Sequence, residues 1–260
     1  MLKIGLKLWS TNINLAEQVS AASHSGKIDF LELYVVPGST ASCGPRWEGL
    51  GCPVILHAPH SDHGFNLADS LLRESNQKIF AETQLFADRL HSEVIVVHGG
   101  NGGSIEEAIG QLLALKELRL AIENKPLRGL NAKECIGHTP AQIRFIMQSC
   151  AMNKFILDLN HAAHASRSLN FDPIGFIRLF LDLSPTGFHL SDGDPDSETD
   201  MHLHLGEGKM PLAQMAALLP ASAAVTLETP LDLEKGLEDF FLDKSKLLSF
   251  TKCPVKTRVS

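Results

Sequence analysis

Residues of the types that bind divalent metal ions recur in this chain at the ends of short apolar runs. His57 and His60 stand in LHAPH, His98 in VVHGG, Glu123 in AIENKP, Asp158 and His161 in LDLNHA, His189 in GFHLSDGD and Glu228 in TLETP. A further segment, DMHLHLGEG, follows the His189 run; in extended backbone its Asp200 and His202 point to the same side, so the two can grip one ion. Twelve histidines against a single tyrosine sharpen the pattern, because imidazole is the commonest neutral metal ligand. One His or Glu after a strand is ordinarily a cap or a hydrogen-bonded packing residue. Six consecutive runs ending this way are not explained by capping, since burying so many ionisable groups together without a cation is strongly unfavourable. A cluster of divalent metal ions removes that penalty.

Such residues act together only if the fold brings the run ends to one place. The apolar runs read as eight strands: Lys3–Trp9, Phe30–Val36, Pro53–His57, Val94–His98, Leu120–Glu123, Phe155–Leu159, Gly187–His189 and Ala224–Glu228. Between them, helical periodicity covers Leu15–Ala22, Glu74–Leu90, Ile105–Leu115, Thr139–Cys150, Pro173–Leu183, Pro211–Leu219 and Leu231–Leu248, with start signals at Ser104, Thr139-Pro140 and Asp172-Pro173. Strand-helix alternation in 260 residues, 44% of them hydrophobic, fits a closed α/β barrel, an eight-stranded parallel (β/α)8 TIM barrel forming a single domain over residues 1–250. In that fold the C-terminal strand ends share one face, where active sites are built. No Ser-rich or charged linker divides the chain, and no GxGxxG follows the first strand, which removes a dinucleotide-binding fold. Residues 251–260, with Lys252, Lys256 and Arg258, read as a flexible tail.

Bulk properties narrow the partners. The net charge of −7 gives no global attraction for a polyanion. No apolar run approaches the roughly 20 residues of a membrane span, and MLKIGLKLWS reads as a first strand rather than a leader, so a cytoplasmic protein is expected. Cys43, Cys52, Cys135, Cys150 and Cys253 are odd in number and form no CxxC, which points to reduced packing residues. No protein partner is implied.

Taken together, PHSDHGFNL, VVHGG, IEN, LDLNH, FHLSD, DMHLHLGEG and LETP resemble the endonuclease IV group, family 2 of the apurinic/apyrimidinic endonucleases, within the xylose isomerase-like barrels. The likeness runs from about residue 53 to 230. It implies a site for three Zn²⁺ ions: His60 and His98 on the first, Glu123 bridging to a second that is also held by Asp158, His189 and Glu228, and His161, Asp200 and His202 on a third. The donor types suit zinc, with Mn²⁺ next because carboxylate-rich sites accept it. The implied reaction is metal-dependent hydrolysis of a phosphodiester, with abasic DNA as a candidate substrate, Glu123 and Glu228 as catalytic residues, and water activated at neutral pH.

Two stretches depart from the family pattern: LKLWSTN in place of a His-containing first strand with a small-residue turn, and Leu159-Asn160 in place of Thr-Cys. Arg46, Trp47, Lys125, Arg128 and Arg167 are the candidates for gripping a nucleic acid, each with a plainer reading as surface charge or packing aromatic; the acidic stretch 192–200 would repel phosphate unless it folds away or binds metal. The alternative is a sugar or sugar-phosphate isomerase or epimerase of the same superfamily, which uses one ion on Glu123, Asp158, His189 and Glu228, with the two glutamates exchanging a proton. A third reading is a metal-binding protein without catalysis. Among the other histidines, His57 and His63 read as supporting residues, His204 as a rim residue, His164 as packing near the sixth strand, and His24, His91 and His138 as surface residues. Gly99–Gly103 reads as a flexible turn or a phosphate cradle.

Overall fold

The computed structural model describes residues 1–129, 131–197 and 200–252. Eight parallel strands close into a barrel in sequence order: β1 (Lys3–Trp9), β2 (Phe30–Tyr34), β3 (Val54–His57), β4 (Ile95–His98), β5 (Leu120–Glu123), β6 (Phe155–Asp158), β7 (Gly187–Leu190) and β8 (Ala224–Leu227). Outside lie α1 (Ala16–His24), α2 (Thr40–Cys43), α3 (Arg73–Arg89), α4 (Ile105–Ala114), α5 (Pro140–Ser149), α6 (Leu159–Ser168), α7 (Pro173–Leu181), α8 (Leu212–Leu218) and α9 (Glu238–Lys252). The expected (β/α)8 barrel is the observed fold. No described helix is long and apolar enough to cross a membrane.

The two-residue period of a strand divides the core in two. Ile4, Leu6 and Leu8, Leu31 and Leu33, and Ile95 and Val97 face outward and join the helices in one large apolar layer. Val96, Ala121 and Ile156, with Ile55, form a separate small cluster that fills the barrel interior. Two residues further along each of those strands stand His57, His98, Glu123 and Asp158, so the same alternation that packs the plug aims these side chains into the mouth above it. Strand register levels them: His98 pairs with Glu123, Asp158 with His189, Tyr34 with His57 and Lys7 with Glu32.

Several expected boundaries move. Leu159 opens α6 rather than ending β6, and Asp158 caps that helix, its Oδ1 accepting from His161 N at 2.6 Å. The helix escapes sequence reading because Leu159–Ser166 is buried all round, leaving no one-sided stripe. The last helix begins at Glu238 rather than Leu231 and runs to Lys252, two residues into the expected tail; residues 253–260, with Cys253, lie outside the described ones. Ser104, Thr139 and Asp172 accept from the backbone of Glu107, Gln142 and Gly175 as helix caps. Cys43, Cys52, Cys135 and Cys150 are free thiols.

A buried amide network fixes the loops after β3 and β4. Asn76 accepts from Asn66 N and donates to Asn66 O and to Gln111 Oε1, while Asn66 accepts from Asn101 N and donates to Asn101 O. The glycines of 99–103 serve this packing: a Cβ on Gly103 would stand 1.8 Å from Ala68 O. Replacing Asn76 by Ala strands buried donors and acceptors, and should cost about 1–3 kcal/mol, read as a lower urea midpoint at unchanged slope.

Outside the barrel, hydrogen bonding from Arg119 outweighs burial and lowers Glu117 from the ordinary 4.5 to about 2. Its stabilisation is therefore complete above pH 4.5 and lost as pH falls toward 2. The melting-temperature advantage of the native chain over Glu117→Gln should shrink across that interval and be constant above it.

Candidate metal centre

Glu123 lies at the centre of the mouth. Its Oε2 is 3.0 Å from His57 Nε2, 3.1 Å from His98 Nε2 and 3.5 Å from His189 Nδ1, while its Oε1 is 3.1 Å from His161 Nδ1. Ligand atoms converge in four overlapping groups: His57, His98 and Glu123; Glu123, Asp158 and His161; His161, Asp200 and His202; and Glu32, His189 and Glu228. Eight of the nine expected ligands fall in these groups. His60 does not. It follows Pro59 beyond the strand, its ring lies 6.2 Å from that of His98, and its Nδ1 is 3.7 Å from Asp62; His57, one alternation step past Ile55, takes the place beside His98 and Glu123.

Backbone carbonyls orient three of the imidazoles through Nδ1. His57 Nδ1 is 2.7 Å from Ala58 O, His161 Nδ1 2.9 Å from Asn124 O, and His202 Nδ1 2.8 Å from Glu228 O. Each Nδ1–H donates to a carbonyl, which leaves the Nε2 lone pair aimed inward, the arrangement of metal-binding histidines. His189 is turned the other way round, donating from Nε2 to Glu32 Oε2 at 2.9 Å and presenting Nδ1. That Nδ1 and both oxygens of Asp200 form no hydrogen bond, although His202 Nε2 is 2.7 Å and His161 Nε2 3.2 Å from Asp200 Oδ2. Lone pairs facing lone pairs in a buried place are what a cation reconciles, so the donor set fits divalent metal.

Charge in the mouth is correspondingly strained. Burial disfavours the ionised form of Glu123, but the surrounding His98, His189 and His161 hold its carboxyl well below the usual range. Asp158 is pushed up to about 6 by burial, with His161 opposing and Asp200, Glu228 and Glu123 adding to the rise. Burial also lowers His60 to about 3, helped by Lys125. Lys125 Nζ stands 3.2 Å from His161 Nε2.

The loop carrying Asp200 and His202 is held by a residue that the sequence did not single out. Asp192 is 1% exposed and accepts from the backbone N–H of Gly193, Gly206, Gly208 and Met210, while its backbone pairs with Leu203. The acidic stretch thus folds away in parts: Asp192 inward, Asp200 into the ligand groups, Asp194 onto Lys209 and Asp196 onto Arg167.

A cavity of about 400 Å³ opens above the ligands, lined among others by Lys7, Trp9, Tyr34, Lys125 and Arg128. Trp9, half exposed, Tyr34 and His63 form an aromatic cluster on its rim, with Tyr34 Oη 2.6 Å from His63 Nδ1. Lys7, Glu32, Tyr34 and Trp9 were missed, yet the alternation Gly5, Lys7, Trp9 and Phe30, Glu32, Tyr34 already places them on the inner face. Of the expected grip, only Lys125 and Arg128 line the cavity. Trp47 is buried and donates Nε1–H to Ser10 O, a core anchor rather than a surface aromatic, and Arg46 and Arg167 are exposed away from the cavity. His204 pairs with Asp243 of α9 instead of the rim, and His138 is buried against Cys135 O rather than on the surface. His164 packs within α6, while His24 and His91 are exposed.

No protein-family model matches this sequence, and no curated protein matches it either. Solved structures do match in shape. A D-tagatose 3-epimerase-like protein is 18% identical with a TM-score of 0.69, covering 96% of this chain and 98% of its own. A protein from Thermus thermophilus, solved from a soak with zinc chloride, is 21% identical with a TM-score of 0.65, covering 96% of this chain and 98% of its own. What these structures share with this chain is the closed barrel, a form also found in a xylose isomerase-named protein from Rhodospirillum rubrum at 12% identity and a TM-score of 0.70. An AP endonuclease of family 2 from Brucella melitensis shares it at 14% identity and a TM-score of 0.64, covering 92% of this chain and 98% of its own. Sugar-directed and DNA-directed enzymes both stand among these neighbours, and at such identities the likeness speaks for the fold alone.

Because Asp192 holds the ligand loop by charge-assisted bonds, Asp192→Ala should loosen it specifically. Limited proteolysis between residues 193 and 210 is expected to accelerate roughly ten-fold or more, with the rest of the barrel as resistant as before.

Proposed function

We propose that this chain is a metal-dependent phosphoester hydrolase whose centre holds more than one ion, zinc being the metal that the donors suit best. The observation that carries this reading is Glu123, which stands in two ligand groups at once, with His57 and His98 and with Asp158 and His161. A carboxylate so placed could serve more than one ion. The group of His161, Asp200 and His202 adds weight, since a one-ion isomerase has no use for it. His57, His98, Glu123, Asp158, His161, His189, Asp200, His202 and Glu228 would hold the metal, with three zinc ions the expectation from the family resemblance.

When bound, divalent ions supply a nucleophilic water at neutral pH and neutralise charge developing on the phosphoryl oxygens. The chain's own residues do the rest. Lys125 and Arg128 give the cavity a cationic side for a phosphate. Trp9 and Tyr34 form an apolar wall opposite. Glu228, whose Oε1 is 2.6 Å from His189 Nδ1, can hold and orient water beside the reacting atoms. About 400 Å³ accommodates a small phosphodiester or a single extruded nucleotide residue, so abasic DNA is one substrate to try.

The sugar isomerase or epimerase reading keeps support from the same small cavity and from His189, which lies between Glu228 and Glu123 as a single-ion site would need. Elemental mass spectrometry of protein purified without added metal or chelator separates the two. The hydrolase reading expects two or more zinc ions per chain, cleavage of an abasic duplex or of bis(p-nitrophenyl) phosphate, and loss of that cleavage with chelator. A single ion together with turnover of a ketose, and no phosphodiester cleavage, would establish the alternative. Glu123→Gln should lower both zinc content and phosphodiester cleavage, the latter by about a hundred-fold or more.

A further inference from the structure

Among its carboxylates the mouth contains a cation of the protein's own. Lys7 stands on the inner face of β1, where its ammonium contacts Glu228 Oε1 and lies 3.3 Å from Glu32 Oε1, with the side chain 16% exposed. Strand pairing fixes this position. Lys7 is registered against Glu32 of β2, and β1 pairs on its other side with β8, which ends one residue before Glu228. Lys125 contrasts with Lys7: among the described residues it makes no ion pair with these carboxylates and touches the centre only through His161.

Lys7 is thus joined to one ligand group. Among the described residues Glu32 Oε1 and His189 Nδ1 have no hydrogen-bond partner, and Glu228 Oε1 accepts from Lys7. Glu32, His189 and Glu228 form one of the ligand groups, each offering a ligand atom within 4.8 Å of the others, so without the ammonium this buried trio suits a divalent ion. An ammonium supplies the same service at lower charge, tethered to the backbone and not exchangeable.

We propose that Lys7 is a resident cation: its ammonium, held between Glu32 and Glu228, stands in for an ion on this side of the centre, so that side takes no metal ion of its own and His189 and Glu228 serve metal only from the side they turn to Glu123. The inference rests on reading the mouth as a metal centre. It also gives Lys7 a positioning role, since the contact fixes Glu228 beside the cavity.

The test is the zinc content of the full-length chain as a difference between variants, counted by elemental mass spectrometry after saturation with zinc and gel filtration. Lys7→Met should bind one more ion per chain than the native protein, and Lys7→Arg, which keeps the charge, should bind the same number as the native protein. In Lys7→Met combined with Glu32→Gln, where a ligand is lost as well, the extra ion should disappear. No gain in Lys7→Met would overturn the proposal. Should that variant fail to fold, anomalous scattering from zinc-soaked crystals of the native chain decides: peaks beside Glu123 and none against Glu32 Oε1 agree with it, and an ion among Glu32, His189 and Glu228 refutes it. A native chain without zinc anywhere would instead overturn the metal-centre reading, and the gain or absence of an ion in Lys7→Met would still decide the role of Lys7.

Discussion

Glu32, Glu123, Asp158, Asp200 and Glu228 are withheld from water together in the mouth of one barrel, and their mutual repulsion is the constraint around which the remainder is built. Carboxylates at this density cannot all ionise without positive charge close by. The structure supplies one such charge in the Lys7 ammonium on the β1 side, and around Glu123 it sets imidazole and carboxylate donors in a geometry suited to divalent cations. Asp158, at about 6, registers how incomplete the compensation is when protein groups act alone.

Two polar devices outside the ligands keep that arrangement in place. The amide network through Asn66, Asn76, Asn101 and Gln111 ties the loops after β3 and β4, which carry the rim over His57 and His98. Asp192 does the same for the loop after β7 by accepting several backbone N–H bonds. Both place polar groups where the barrel would otherwise leave long connections without partners, and so hold loop residues such as Asp200 and His202 in fixed positions.

Barrels of this shape serve sugar chemistry and phosphodiester chemistry alike, and overall shape does not choose between them. What distinguishes this chain is local: a carboxylate that stands in two ligand groups at once, a histidine and aspartate loop beyond it, and a lysine lodged against the glutamate at the end of β8. The first two favour several ions. The last sets a fixed positive charge on the β1 side of the mouth.

Much of this was written in the chain. Alternating strands and helices specified the barrel, and the ends of its apolar runs specified which residues reach the mouth, because the period of a strand and the parallel direction of a closed sheet leave little choice. Alternation also placed Lys7 and Glu32 on the inner face, though nothing in their sequence told of an ion pair across the first, second and eighth strands. Tertiary structure alone showed that His57 is the imidazole of LHAPH that lies beside His98 and Glu123, since only packing above the Ile55 layer shows which residue continues the strand inward. It decided that Trp47 is core and that α6 is a helix, because a segment buried on all sides carries no periodic contrast to read. And it decided which oxygen of Glu123 faces which histidine: sequence sets the direction in which a side chain leaves the backbone, whereas the charge balance among groups far apart in the chain exists only once the barrel has closed.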